Sequence, residues 1–337
     1  MKLGGFPERI WRRRWSRAAA LPFVFILLAT IVAPARRPAP ATAPDAPLVY
    51  APVVLQADAP GRRDVGRLHF LGGWSLSSPD DRLGGLSGLH VENGQAIAIS
   101  DAGTLVHFPL PGTSPEPRVR FQPVTEGPGP TSRRSTRDTE ALMVQGDRLW
   151  LSFERYNAIW RYDRSTLRGQ SGARPPLMRR WPGNSGPETM VRLADGRVLV
   201  IAEGLDNGAP YSDALLFAGD PAVETSPVTR LRYRRTPGFR PTDAALLPDG
   251  RILILNRRLS VLRLSARLTV ADVRGLAAGG IIESQEVALL EAPLAIDNME
   301  GLAVSREQGR TIVWLLSDDD FMRLFRHTLL MKFELRL

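Results

Sequence analysis

The chain has 337 residues, enough for one large domain or two ordinary ones, and its 43% hydrophobic and 23% charged content is that of a folded protein. Its net charge of +9 is concentrated at one end: residues 1–37 carry eight basic side chains against the single acid Glu8, which leaves +2 for the other 300 residues and removes the electrostatic case for a nucleic-acid partner. There is no cysteine, so disulfides, thiolate zinc sites and cysteine nucleophiles are excluded.

In chain order, a basic stretch from Arg9 to Arg17 precedes an uncharged, largely apolar run from Ala18 to Ala33, and Ala33-Pro34-Ala35 offers a small-x-small cleavage site. Residues 1–35 therefore read as a helical signal peptide or membrane anchor, the apolar run being short for a span, which needs about 20 residues. Positive charge before the run keeps the N-terminus cytoplasmic and puts the rest in the periplasm or elsewhere outside the membrane, secreted or anchored through this segment. Residues 36–64 are rich in proline and alanine and read as an extended linker. From Val65 to Leu337 the pattern changes to short β-branched and leucine-rich runs separated by Asp-Gly, Asn-Gly and Pro-Gly turns, an all-β domain.

Five segments of that domain repeat. Ser87-Gly88-Leu89, Glu140-Ala141-Leu142, Glu188-Thr189-Met190, Asp243-Ala244-Ala245 and Glu300-Gly301-Leu302 are each followed by a turn and an apolar strand, which ends at Asp101, Glu154, Glu203, Arg257 and Asp318 respectively. The starts lie 53, 48, 55 and 57 residues apart. Hairpins at this period, with no helix between them, predict a β-propeller. Residues 65–337 divide into six blades of about 45 residues, close to the usual length, with five blades as the alternative. In the six-blade reading, the sixth is assembled from Gly66–Trp74 and Leu329–Leu335, hiding both open edges.

In such a hairpin the residue before the first strand and the residue after the second lie at the same end. The repeats thus converge Ser87 with Asp101, Glu140 with Glu154, Glu188 with Glu203, Asp243 with Arg257, and Glu300 with Asp318, while Asp138 and Asp297 add acid beside them. Carboxylates so gathered repel one another unless a cation intervenes or some stay protonated, and calcium is the natural hard, oxygen-seeking counter-ion. The competing reading is that each acid caps its own turn through backbone amides. Arg155 and Arg257 sit beside ring positions, where a guanidinium binds phosphate or carboxylate bidentately or simply pairs with a neighbouring acid.

Taken as a set, Gly85-Leu86-Ser87-Gly88-Leu89, Asp138-Thr139-Glu140-Ala141-Leu142, Gly186-Pro187-Glu188-Thr189-Met190, Pro241-Thr242-Asp243-Ala244-Ala245 and Asn298-Met299-Glu300-Gly301-Leu302 resemble the bacterial phytase-like family, also described by esterase-like activity of phytase, over about residues 66–335. The resemblance implies a propeller, hydrolysis of a phosphorylated small molecule and calcium as cofactor, with no catalytic residue carried over by position. Joined to the ring, it makes Glu140, Glu188 and Glu300 the candidate catalytic carboxylates. Asp101, Asp138, Glu154, Glu203, Asp243 and Asp318 are then the candidate calcium ligands, and Arg155 and Arg257 the candidate substrate clamps. The alternative is a non-catalytic envelope propeller that binds a ligand or protein through its acidic face. The charge asymmetry generates the first prediction: a reporter active only in the cytoplasm, fused after Leu337, is silent, and strong reporter activity there would refute export.

Overall fold

The computed structural model describes residues 44–130, 136–204, 209–260, 263–321 and 327–337. The expectations for residues 1–35 lie outside them. The N-terminal strands are β1 (Asp45–Pro47), β2 (Val49–Pro52), β3 (Asp64–Val65) and β4 (Leu68–Ser77). A first meander follows: β5 (Leu86–Glu92), β6 (Gln95–Ser100), β7 (Thr104–Pro109) and β8 (Arg118–Pro123). The second is β9 (Thr139–Gln145), β10 (Arg148–Phe153), β11 (Ala158–Asp163) and β12 (Gly169–Ala173), and the third is β13 (Pro187–Arg192), β14 (Val198–Ala202), β15 (Tyr211–Phe217) and β16 (Val228–Arg234). The fourth is β17 (Arg240–Leu246), β18 (Ile252–Ser260), β19 (Arg263–Ala271) and β21 (Ser284–Glu291), with β20 (Ile281–Ile282), which belongs to the third sheet, lying before β21 in the chain. The chain ends with β22 (Asn298–Glu307), β23 (Arg310–Asp318) and β24 (Thr328–Leu335). No α-helix occurs among the described residues.

These strands form five sheets, each an antiparallel blade whose inner strand is β5, β9, β13, β17 or β22; only β20 adds in parallel, at the outer edge of the third blade. The propeller is therefore five-bladed, and the six-blade expectation is corrected. The fifth hairpin and the two terminal segments, counted separately from sequence, share one sheet of order β2-β4-β24-β23-β22. The expected terminal partners do meet, with Leu330 opposite Trp74 and Leu335 opposite Leu68. Part of the stretch read as linker is strand: β1 joins the outer edge of the first blade and β2 that of the fifth. Its prolines allow this, because Pro47 and Pro52 end edge strands, where a missing N–H leaves no partner unmatched.

The sequence dictates this packing through period two. Both faces of a middle strand are covered, so these strands read as unbroken apolar runs. In β18, Ile252 and Ile254 face the third blade while Leu253 and Leu255 face the fifth. In β23, Ile312, Trp314 and Leu316 face the first blade while Val313 and Leu315 face the fourth. The result is five apolar clusters, one in each seam between neighbouring blades. Toward the axis the inner strands approach so closely that a Cβ on Gly301 would lie 2.9 Å from the Leu89 Cβ, which accounts for the small residue in that motif. At the far end of the first hairpin, Asn93 (φ 51°) and Gly94 (φ 73°) form the primed turn expected of Asn-Gly.

Leu255 is fully buried in the seam between the fourth and fifth blades. Its replacement by alanine is expected to cost about 2–5 kcal/mol in urea denaturation, against less than about 0.5 kcal/mol for Val54→Ala at an exposed position. Equal midpoints for the two variants would contradict the seam account.

Candidate functional site

Every inner hairpin carries a β-bulge at its motif. The extra residue is Ser87 between Leu86 and Gly88, Glu188 between Pro187 and Thr189, and Glu300 between Met299 and Gly301, while Glu140 and Ala141 together oppose Ser152. A bulge re-aims the side chain it inserts, so one seat per blade is set by backbone register. A second seat directly follows the second strand at Asp101, Glu154 and Glu203, ends it at Asp318 and lies within it at Arg257. The amides of Asp101, Glu154 and Glu203 bond to the carbonyls of Gly85, Asp138 and Gly186, and Arg257 and Asp318 pair across their ladders with Arg240 and Asn298. The paired positions expected from sequence are thus brought to one end of the hairpin in the first, second, third and fifth blades.

The fourth blade departs from the pattern. Its bulged residue is Thr242, and Asp243 lies one position further on, opposite Leu255. Asp243 is 3% exposed and accepts hydrogen bonds from the amides of Ala244 (2.8 Å) and Leu302 (2.8 Å), with a further one from Leu89. Burial raises its pKa well above the ordinary carboxylate value and the three amides oppose that rise. Asp243 therefore ties together the inner strands of the first, fourth and fifth blades, as the capping reading expects. Asp297 behaves likewise, accepting from the amides of Asn298 (2.8 Å) and His327 (3.0 Å).

The remaining acids converge. Oxygens of Asp138, Glu140 and Glu154 lie within 4.8 Å of one another, and all three side chains are half-buried. Burial, followed by Asp138 and Glu203, raises Glu154 to about 7, while the Gly186 amide and Arg155 act in the opposite sense. Glu140 is pushed well up by burial and by Glu188, Glu154, Asp138 and Asp101. Glu188, only 5% exposed, is pushed up by burial and by Glu203, with Arg257 opposing. Asp318 is raised by burial and by its contact with Asp320, and its carboxylate also accepts the Asp320 amide (2.8 Å).

Arg257 is the counter-charge of this ring. It forms ion pairs with Glu300 and with Glu203 (3.4 Å) and donates to Asn298 Oδ1 (3.2 Å). Burial works against its charge, and the attraction of Glu188, Glu203, Glu140 and Asp318 outweighs it. Glu300 is also held by the Asn298 amide group at 2.6 Å. Arg155 lies at the rim, 54% exposed and bonded to Asp138 at 2.7 Å. The sequence reading missed Arg240, which pairs with Glu203 at 3.1 Å, and Asn298. Arg240 directly precedes the Pro241-Thr242-Asp243 motif, and Asn298 opens the fifth, so proximity to the repeats was the available signal.

Among curated proteins, none matches the chain. Among solved structures it resembles the glutaminyl cyclase of Myxococcus xanthus at 13% identity and a TM-score of 0.47, over 81% of this chain and 99% of that one. It also resembles the Malassezia sympodialis allergen Mala s 1 at 10% identity and a TM-score of 0.43, over 87% and 96%. A third is regucalcin, a calcium-binding protein from Agrobacterium tumefaciens, at 12% identity and a TM-score of 0.39, over 74% and 90%. The sequence profile of the phytase-like family, described as esterase-like activity of phytase, matches residues 81–321. All five bulged hairpins and all ten of their ring seats fall inside that match, and the chain belongs to the phytase-like family.

Proposed function

We propose that the chain is a calcium-dependent phosphoric monoester hydrolase acting outside the cytoplasmic membrane. The carrying observation is the cluster of Asp138, Glu140 and Glu154, whose oxygens face one another within 4.8 Å. The donor set suits calcium: it is all carboxylate, and oxygens sharing one calcium at roughly 2.3–2.6 Å are separated by at most about 5 Å. Such an ion, when bound, supplies polarisation of the phosphoryl group and a more acidic water. Glu188, buried and raised in pKa, is fitted to hold a proton and deliver it to the leaving oxygen. Arg257 and Glu300 hold one another, so Arg257 offers phosphate only the donors its carboxylates leave. The family description supports the hydrolytic class, and the basic N-terminal stretch with its apolar run supports the location.

One observation favours the binding-only alternative. Both arginines expected to clamp phosphate are engaged by acids, Arg155 by Asp138 and Arg257 by Glu203 and Glu300.

Two predictions test this reading, the first its catalysis and the second its cation. Release of phosphate from aryl phosphates is expected to require calcium and to fall at least about 100-fold in Glu140→Gln; equal rates for wild type and variant would leave the binding propeller. The second concerns pH. Glu154 keeps its proton to about pH 7 when folded but loses it near 4.5 when unfolded, so without cation its contribution makes stability fall as pH rises from about 4.5 to 7. A cation replaces that proton. Calcium is therefore expected to raise the melting temperature more at pH 8 than at pH 5, and a shift that is equal at both, or absent, would argue against a cation at these carboxylates.

A further inference from the structure

A cavity of about 510 Å³ opens between the third and fourth blades and shares Glu203 and Arg257 with the acidic ring. Its charge is opposite to that of the ring. Arg235, Arg240, Arg257 and Arg258 line it, with Glu203 the single acid among the described lining residues. The guanidiniums are held in place: Arg240 by Glu203, Arg257 by Glu203 and Glu300, and Arg258 by Glu291 (3.2 Å) and by stacking on Phe239 at 4.8 Å. The rest of the wall is apolar, formed by Pro210, Pro237 and Leu259, and Leu259 is 49% exposed.

We propose that this cavity is the substrate-selecting subsite, built for a phosphate monoester of a small apolar alcohol or phenol rather than for a polyphosphorylated polyol. The inference rests on the hydrolase reading for its reaction but not for its binding chemistry. Counted with the acids that pair them, Glu203, Glu291 and Glu300, the four arginines leave a formal +1 and the guanidinium N–H groups those pairs do not use, which suits the oxygens of one phosphate rather than several. The volume lies at the lower end of the roughly 300–1,000 Å³ typical of sites for small organic ligands. Arg240 and Arg257, belonging to both cavity and ring, hold the phosphoryl group at the boundary. The proline and leucine wall takes the organic group, surface that a polyol covered with phosphates would leave unused. Arg258 and Leu259 thus become specificity residues that no ring motif contains.

Calorimetric titration of the full folded domain in chelator tests this, because the carboxylates then carry no cation and nothing is turned over. Phenylphosphonate, which has no hydrolysable ester bond, is expected to bind at least about tenfold more tightly than inorganic phosphate. Arg258→Ala and Arg240→Ala are each expected to weaken phenylphosphonate binding about tenfold or more, a loss of one charge-assisted hydrogen-bonding group. Leu259→Ser should weaken phenylphosphonate but leave phosphate unchanged, and Arg161→Ala, at the other end of the blades, should change neither. Melting curves establish that each variant is folded, and Arg258, at the cavity rim, serves if Arg240→Ala does not fold. Equal affinity for phenylphosphonate and phosphate, no binding by wild type, or binding indifferent to both arginines would overturn the subsite. A protein that binds phenylphosphonate as expected but releases no phosphate from any ester would overturn the hydrolase reading and keep the cavity.

Discussion

The ring exists because its two ends are sewn into one sheet. β4 lies antiparallel to β24 from Thr328 opposite Leu76 to Leu335 opposite Leu68, and β24 pairs in turn with β23. Without that ladder the fifth blade would be a lone hairpin, and the seams on either side of it, to the first and fourth blades, would lose Leu68, Phe70, Leu330 and Phe333. Stacking of Trp74 on Trp314 and the placement of Lys332 over Trp314 reinforce the same joint. The convergence of the inner strands, and with it every distance in the acidic mouth, depends on this closure.

Burial then sets the chemistry of the mouth. Most of its acids cannot all be charged in a space closed off by apolar seams, and the rises at Glu140, Glu154, Glu188 and Asp318 all have burial as their first cause. Three outcomes are visible side by side. Asp243 and Asp297 are satisfied by backbone amides, Glu203 and Glu300 by guanidinium, and Asp138, Glu140 and Glu154 are left facing one another, with the rim residue Arg155 on Asp138 alone.

The hairpins and their period were legible in the sequence because turn residues and two-faced apolar strands are local signals. The blade count was not, since it depends on whether Ile312–Ser317 and Leu329–Leu335 share a sheet, a long-range pairing that a mean repeat length cannot reveal. The ring seats were legible to within one residue. In the fourth blade a shift of one moved Asp243 off the bulge and onto the amides of Leu89 and Leu302, and only ladder register distinguishes Thr242 from Asp243. The pairing of Arg257 with Glu300 and the arginine-lined cavity join residues of different blades, so no spacing along the chain announces them.

The one-residue offset in the fourth blade has a consequence for symmetry. Five equivalent acidic seats would focus a negative potential on the propeller axis and leave the mouth without a front or back. With Thr242 and Arg257 in the fourth blade, and the three facing carboxylates on the second, the charged seats are unequal from one blade to the next. The carboxylates that face one another lie on the second blade, whereas Arg257 on the fourth is already matched by Glu203 and Glu300. The mouth therefore has a front and a back, distinguished by which blade its facing carboxylates belong to.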